Sequence, residues 1–248
     1  MVREELSLLV NDYYISNLPM STQLVIFDIA GTTLLDNNHV ATALQSAFSQ
    51  FHLTISLEVA NRVMGYPKPV AISMLLQSQF KQHHEASDPV VQSIHARFLD
   101  EMTRFYQTSP ELQEKDEATK LFIFLRNQGI KVWLDTGFDR LTTNLIIHRL
   151  QWQSHLDGSV TSDEVNQGRP FPDLIYRAME LSHISDAKVV AKVGDTPADL
   201  QEGTGAGCGF VIGVTTGATP PSQLATFPHT HLVETLWDIP PILGLKEN

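Results

Sequence analysis

The chain is 248 residues long and carries 17 Lys+Arg against 28 Asp+Glu, a formal net charge of −11. The length fits one to two domains of about 100–200 residues, and the acidity argues against nucleic acid or an anionic membrane as partner while leaving small anionic substrates open, since a local cation or metal outweighs the global sign. The single cysteine, Cys208, excludes an intrachain disulfide framework and fits a reducing compartment.

The opening MVREELSLLVNDYY carries Glu4, Glu5 and Asp12, which is not the charge pattern of a signal peptide. No apolar run approaches the roughly 18 residues that a membrane helix needs. A cytoplasmic location is expected, with residues 1–20 as an amphipathic arm or packing extension. Four short apolar runs read as buried strands: Gln23–Phe27, Ile130–Leu134, Val189–Val193 and Gly209–Val214. Each is rich in Val, Ile or Leu and is followed by a turn or helix signal. Between the first and second runs, from Asn38 to Glu114, the pattern is helical, with helices expected over Ala41–Phe51, Glu58–Met64, Val70–Phe80 and Val90–Tyr106. Further helices are expected over Asp116–Asn127, Arg140–Leu150 and Pro172–Leu181, the last opening on Pro-Asp. Alternating strands and helices imply an α/β fold, a doubly wound parallel sheet with right-handed crossovers. The helical stretch is expected to form a small cap domain inserted after the first strand, over the strand ends where such sheets bind ligands. The expected division is residues 21–37 and 115–248 for the core and 38–114 for the cap.

The informative carboxylates follow strands. Asp28 follows LVIF, Asp135-Thr136 follows KVWL, and Asp195 and Asp199 lie beyond VVAKV. In a parallel sheet such positions converge at one edge, and aspartates there suit Mg²⁺, a hard cation that prefers oxygen ligands. In Asp28-Ile29-Ala30-Gly31-Thr32-Thr33 the glycine permits a tight turn whose N–H groups face an anion. Taken alone, Asp28 has a second reading as the cap of the next segment. Its company is Thr136-Gly137, Gly168-Arg169-Pro170 and Val193-Gly194-Asp195-Thr196-Pro197-Ala198-Asp199, in that order.

With these motifs the chain resembles the haloacid dehalogenase superfamily over nearly its whole length. The resemblance implies a nucleophilic Asp28 that forms an aspartyl-phosphate, Thr136 and Gly137 as phosphate binders, and Arg169 as the cation that steadies nucleophile and phosphate. It implies Mg²⁺ held by Asp28, Asp195 and the backbone carbonyl of Ala30, with Asp199 behind them. Phosphatases of this superfamily carry a second Asp, a general acid–base, where this chain has Ala30. General acid–base catalysis supplies about 10²–10⁴-fold, and Ala30 has no proton to give.

The insertion contains Met64-Gly65-Tyr66-Pro67-Lys68. Met-Gly-x-x-Lys together with Asp-x-Ala-Gly-Thr is similar to the phosphonoacetaldehyde hydrolase (phosphonatase) branch. There the cap lysine forms an imine with the substrate carbonyl, so the leaving group is an enamine and no alkoxide needs protonating. The resemblance implies Lys68 in that role, with Gly65 and Tyr66 near the substrate, a small phosphonate as substrate and a homodimer through cap helices. As a residue on its own, Lys68 between two prolines reads as a solvated loop tip. The chain departs from the branch at Ala71, where a histidine is expected, and at Asn38, where a cysteine is expected. The runner-up is a phosphatase for a small phosphate ester, with Lys68 only orienting the substrate. A non-catalytic relic of the fold would have no reason to keep Asp28, Thr136, Arg169, Asp195 and Asp199 together.

Phe138 is expected to line the pocket, and Trp133, Trp152 and Cys208 to pack in the core. His229 and His231 share strand spacing but read as packing rather than metal ligands, His83-His84 as a solvated helix end, and Gly213–Thr219 as a generic glycine-rich turn.

Overall fold

A computed structural model describes residues 21–246. Six parallel strands form one sheet in the order β3-β2-β1-β4-β5-β6. They are β1 (Leu24–Phe27), β2 (Lys131–Thr136), β3 (Gly158–Thr161), β4 (Val190–Gly194), β5 (Phe210–Val214) and β6 (His231–Val233). The strand order reverses between β1 and β4, the switch point where open α/β sheets bind ligands.

The central strands match the predicted runs because they are covered on both faces, which demands continuous apolar sequence. All residues of β1 and β4 are buried. Alternate residues serve opposite layers. Val25, Phe27, Val132, Leu134, Ala191 and Val193 join one core, while Leu24, Ile26, Trp133 and Val190 join the other with Leu174, Ala178 and Leu200. The two edge strands, β3 and β6, were not among the predicted runs. Each buries little (only Val160 and Thr161 of β3, only Val233 of β6), so neither carries an apolar run. His231 lies in β6, and neither it nor His229 is buried.

Between β1 and β2 lie α1 (His39–Ser49), α2 (Leu57–Asn61), α3 (Lys68–Phe80) and α4 (Pro89–Thr108). In α4 the residues Val91, Ile94, Phe98, Met102 and Tyr106 recur every three or four positions, and all are buried, the stripe of a helix packed on one face. Their cluster is continuous with the layer over β1 and β2. The second insertion helix is shorter than expected, because Arg62–Gly65 leave the helical path and Gly65 takes φ +85°. Downstream come α5 (Ala118–Asn127), α6 (Arg140–Arg149), α7 (Asp173–Leu181) and α8 (Pro197–Ala206). The start of α5 is later than expected because Asp116 and Glu117 are both left-handed. A capping box between Thr196 and Asp199 opens α8. Two single-turn helices, α9 (Pro221–Leu224) and α10 (Ile239–Ile242), close the list. Trp133, Trp152 and Cys208 are buried, as expected. No helix among the described residues is long and apolar enough to cross a membrane. The expected arm at residues 1–20 lies outside the described residues.

Candidate active site

In the sheet register Phe27 stands opposite both Leu134 and Val193. The ends of β1, β2 and β4 are therefore level, and the acids at or just beyond those ends meet. Asp28 continues the ladder, its N–H donating to the carbonyl of Val193 at 2.9 Å. Its side chain accepts a 2.5 Å bond from Arg169 Nη1.

Arg169 is buried at the centre of the acids. Besides Asp28, it bonds the Asp135 carboxylate and, at 2.8 Å, the Asp135 carbonyl, Asp199 at 2.9 Å and Glu202 at 3.0 Å. A second buried cation, Lys192, faces the same group. It bonds Asp135 and lies 3.2 Å from Asp199 and 3.1 Å from Glu202. Burial alone would raise Asp199, but Arg169, Lys192 and the Thr196 hydroxyl outweigh it and hold the carboxyl below its ordinary value. Four acids share two cations, and the excess appears at Glu202, where burial and the neighbouring Asp135 push the carboxyl up to about 8. Neither Lys192 nor Glu202 was expected at the site, and Asp135 was expected only as one of the carboxylates that follow a strand. A signal for the first existed, since a lysine inside VVAKV interrupts an otherwise apolar central strand. Glu202 lies one turn beyond Asp199 on the same helix.

Lys192 is thus a positioning residue that keeps three carboxylates turned toward Arg169. Replacing it with Met leaves buried negative charge unpaired, and the expected loss of folding stability is about 3–5 kcal/mol, read from urea unfolding. A loss below about 1 kcal/mol would show that Arg169 alone compensates the cluster.

Asp195 is held differently. Thr32 Oγ1 donates to its Oδ1 at 3.0 Å and the Ala218 N–H to its Oδ2 at 2.6 Å. Gly31, at φ +88°, comes so close that a Cβ there would lie 2.4 Å from Oδ2. Any side chain at 31 would displace this carboxylate, which is why the turn needs glycine. Lys115, at the far end of the insertion, donates to the Gly31 carbonyl at 2.7 Å and fixes the same turn. Burial and the charge of Asp28 push Asp195 up to about 8, and burial raises Asp28 to about 6 against the pull of Arg169.

These acids test the fit of a metal ion. Asp28, Asp135 and Asp199 offer oxygens within 4.8 Å of one another, a triad able to bind a metal. The last two already face Arg169 and Lys192, however, with Asp135 Oδ2 left without a hydrogen bond. Asp28 adds to the rise of Asp195, and no protein cation is bonded to Asp195 among the described residues. An all-oxygen donor set with uncompensated negative charge fits a hard divalent cation on that side. Asp199, expected behind the ligands, faces the two side-chain cations.

Lys68 is not a solvated loop tip. It is the first residue of α3 and only 5 % exposed. Its Nζ donates to the Tyr66 carbonyl at 3.4 Å and sits 5.8 Å and 5.4 Å from the ring centres of Phe98 and Phe138. Burial pushes the amine down to about 8, with Asp28 opposing. The amine shares one cavity with Asp28, Ala30, Thr136, Gly137 and Arg169. Gly65, Phe138 and Asp36 also line it. The Thr136 hydroxyl accepts from the Phe138 N–H at 3.1 Å.

The insertion approaches the rest of the chain closely at three glycines. A Cβ on Gly65 would lie 2.2 Å from Thr196 Oγ1, one on Gly137 would lie 2.8 Å from the Tyr66 carbonyl, and one on Gly168 would lie 2.4 Å from Pro67 Cγ. Tyr66 is not among the cavity residues and lines the clefts on either side instead. Asn38 is exposed and accepts a bond from Asn61 at 2.9 Å, while Ala71 is buried within the core. Neither takes a place in the cavity.

A family profile described as haloacid dehalogenase-like hydrolase matches residues 25–213, and the chain belongs to that family of hydrolases. Among its relatives, the phosphonoacetaldehyde hydrolase of Bordetella pertussis is 27 % identical, covering 95 % of this chain and 96 % of that protein. The phosphonoacetaldehyde hydrolase of Bacillus cytotoxicus is 30 % identical over 81 % of this chain and 78 % of its own length. In structure the chain is similar to a phosphonoacetaldehyde hydrolase-like protein from Oleispira antarctica (TM-score 0.80, 20 % identity, covering 91 % and 92 %). It is also similar to a putative phosphoglycolate phosphatase from Lactobacillus delbrueckii subsp. bulgaricus (TM-score 0.73, 18 % identity, covering 92 % and 100 %).

Proposed function

We propose that this hydrolase is Mg²⁺-dependent and cleaves the C–P bond of a small carbonyl-bearing phosphonate, phosphonoacetaldehyde or an analogue. The observation that carries the reading is the cavity shared by the Lys68 amine and the Asp28 carboxylate. An electron acceptor and a nucleophile then meet on one small substrate.

The lysine is suited to condensation because burial lowers it to about 8, which leaves a usable fraction of free amine at neutral pH. Its nitrogen bonds to the carbonyl carbon, water leaves, and a protonated imine results. An Asp28 oxygen attacks phosphorus, and the C–P electron pair moves into the imine to give an enamine. Water then hydrolyses the aspartyl-phosphate on Asp28, and the enamine takes a proton on carbon to become an iminium that a second water hydrolyses to aldehyde and free Lys68. The leaving group is carbon in an enamine, so the absence of an acid at Ala30 is no obstacle.

Arg169 steadies Asp28 and the phosphoryl oxygens, with Thr136 and Gly137 as further phosphate contacts. Such fixed charge, placed where negative charge develops, is usually the largest catalytic term. Mg²⁺, held by Asp28, Asp195 and the Ala30 backbone, would supply positive charge on the other side of the phosphoryl group. Residues 38–114 act as the cap, and their contacts through Gly65, Tyr66 and Pro67 keep bulk water from the imine.

The test is reductive trapping. Borohydride with phosphonoacetaldehyde is expected to leave a covalent adduct that peptide mapping places on Lys68. No adduct with a panel of phosphono-aldehydes would remove this reading and leave phosphate-ester hydrolysis.

A further inference from the structure

The imine route needs a group that moves protons at the Lys68 nitrogen. The amine must lose a proton before it attacks, and the hydroxyl of the resulting carbinolamine must gain one before it leaves. Ala30 cannot serve. Of the other residues lining the cavity, Asp28 is committed to phosphorus and bonded to Arg169 at 2.5 Å. A guanidinium stays protonated at neutral pH and cannot serve as a base, and a threonine hydroxyl is too weak an acid and base. Val40, Met64, Phe138, Ala218 and the two glycines have no proton to move. The remaining titratable side chain is Asp36.

Asp36 is also built for the task. Its Oδ1 accepts from the N–H groups of His39 at 2.7 Å and Val40 at 3.3 Å, at the first turn of α1. Those bonds hold the carboxylate in place, and its Oδ2 has no hydrogen-bond partner among the described residues. Neither Ala71, where the resemblance expects a histidine, nor Asn38, where it expects a cysteine, lines this cavity.

We propose that Asp36 is the general base and acid of imine formation at Lys68. This rests on the C–P hydrolase reading above. The Asp36 carboxylate takes one proton from the Lys68 ammonium. The freed lone pair forms the C–N bond as the carbonyl π pair moves to oxygen, and a proton passes from nitrogen to that oxygen. The Asp36 carboxylic acid then protonates the hydroxyl, the C–O bond breaks, and water departs. The nitrogen lone pair completes the iminium, and Asp36 is a carboxylate again. The sum is ammonium plus aldehyde giving iminium plus water.

The experiment compares the full-length wild type with Asp36→Asn, which keeps an oxygen for the amides of α1. Two rates are read with phosphonoacetaldehyde, phosphate release and borohydride trapping on Lys68. Both are expected to fall by about 10²–10⁴-fold, the range for general acid–base catalysis, with KM within about threefold of the wild type, which a merely structural role would not produce. Asp36→Ser, which also retains a capping oxygen, is expected to show the same loss, so a folding defect in one variant does not decide the matter. Wild-type trapping together with undiminished trapping in either folded variant overturns the role of Asp36 and leaves the C–P reading standing. No trapping in the wild type overturns both.

Discussion

Asp28→Asn is expected to lower phosphate release by at least about 10⁴-fold, on the scale seen when an enzyme loses its nucleophile. The amide keeps the shape of the carboxylate but cannot attack phosphorus. The same change is expected to leave the metal-free protein at least as stable at pH 8. Burial raises the Asp28 carboxyl from 3.8 to about 6 in spite of Arg169. A carboxyl whose pKa is raised by folding binds its proton more tightly folded than unfolded. Its ionisation therefore disfavours folding progressively between pH 3.8 and about 6, and the whole cost, roughly 3 kcal/mol, is present above that window. Arg169 keeps Asp135, Asp199 and Glu202 as partners, so removing one charge does not strand it. Steady-state turnover and a metal-free thermal melt at pH 8 check the two halves. Activity within tenfold of the wild type would remove Asp28 from the chemistry.

Lys68→Met is expected to abolish C–P cleavage and raise stability. The folded protein holds this amine at about 8 rather than 10.5. The unfolded chain therefore binds the proton more readily between those values, and stability rises with pH across that window. Below pH 8 the full cost of burying the charge, roughly 3 kcal/mol, weighs against folding. Methionine fills a similar volume against the rings of Phe98 and Phe138 and carries no charge. For a chain of this size each kcal/mol corresponds to about 2–4 °C, so a gain of several degrees at pH 7 is expected, shrinking toward pH 10. A gain in stability with loss of activity is the trade-off of a strained functional group. If Lys68→Met instead keeps its turnover on phosphate esters and only raises KM, the phosphatase reading takes over.

The sequence by itself determined the scaffold. Strands buried on both faces must be written as continuous apolar runs, so β1, β2, β4 and β5 were legible, and Asp28, Asp135 and Asp195 were placed by standing just past the apolar runs of three of them. Edge strands bury too little to impose such a pattern, and β3 and β6 were invisible for that reason. Arg169 was found through its neighbours Gly168 and Pro170, without any sign of what it would touch.

The tertiary structure decided how charge is shared. That Lys192 and Glu202 complete the cluster around Arg169, that Asp199 faces those cations, and that Asp36 rather than Asn38 reaches the cavity are all distances between segments remote in sequence. So is the burial of Lys68, which depends on α4 and the Phe138 loop closing over a residue that local sequence would leave in water. Hydrophobic periodicity is a local property and survives in the sequence. Desolvation and Coulomb interaction depend on what surrounds a group in space, and only the folded chain sets them.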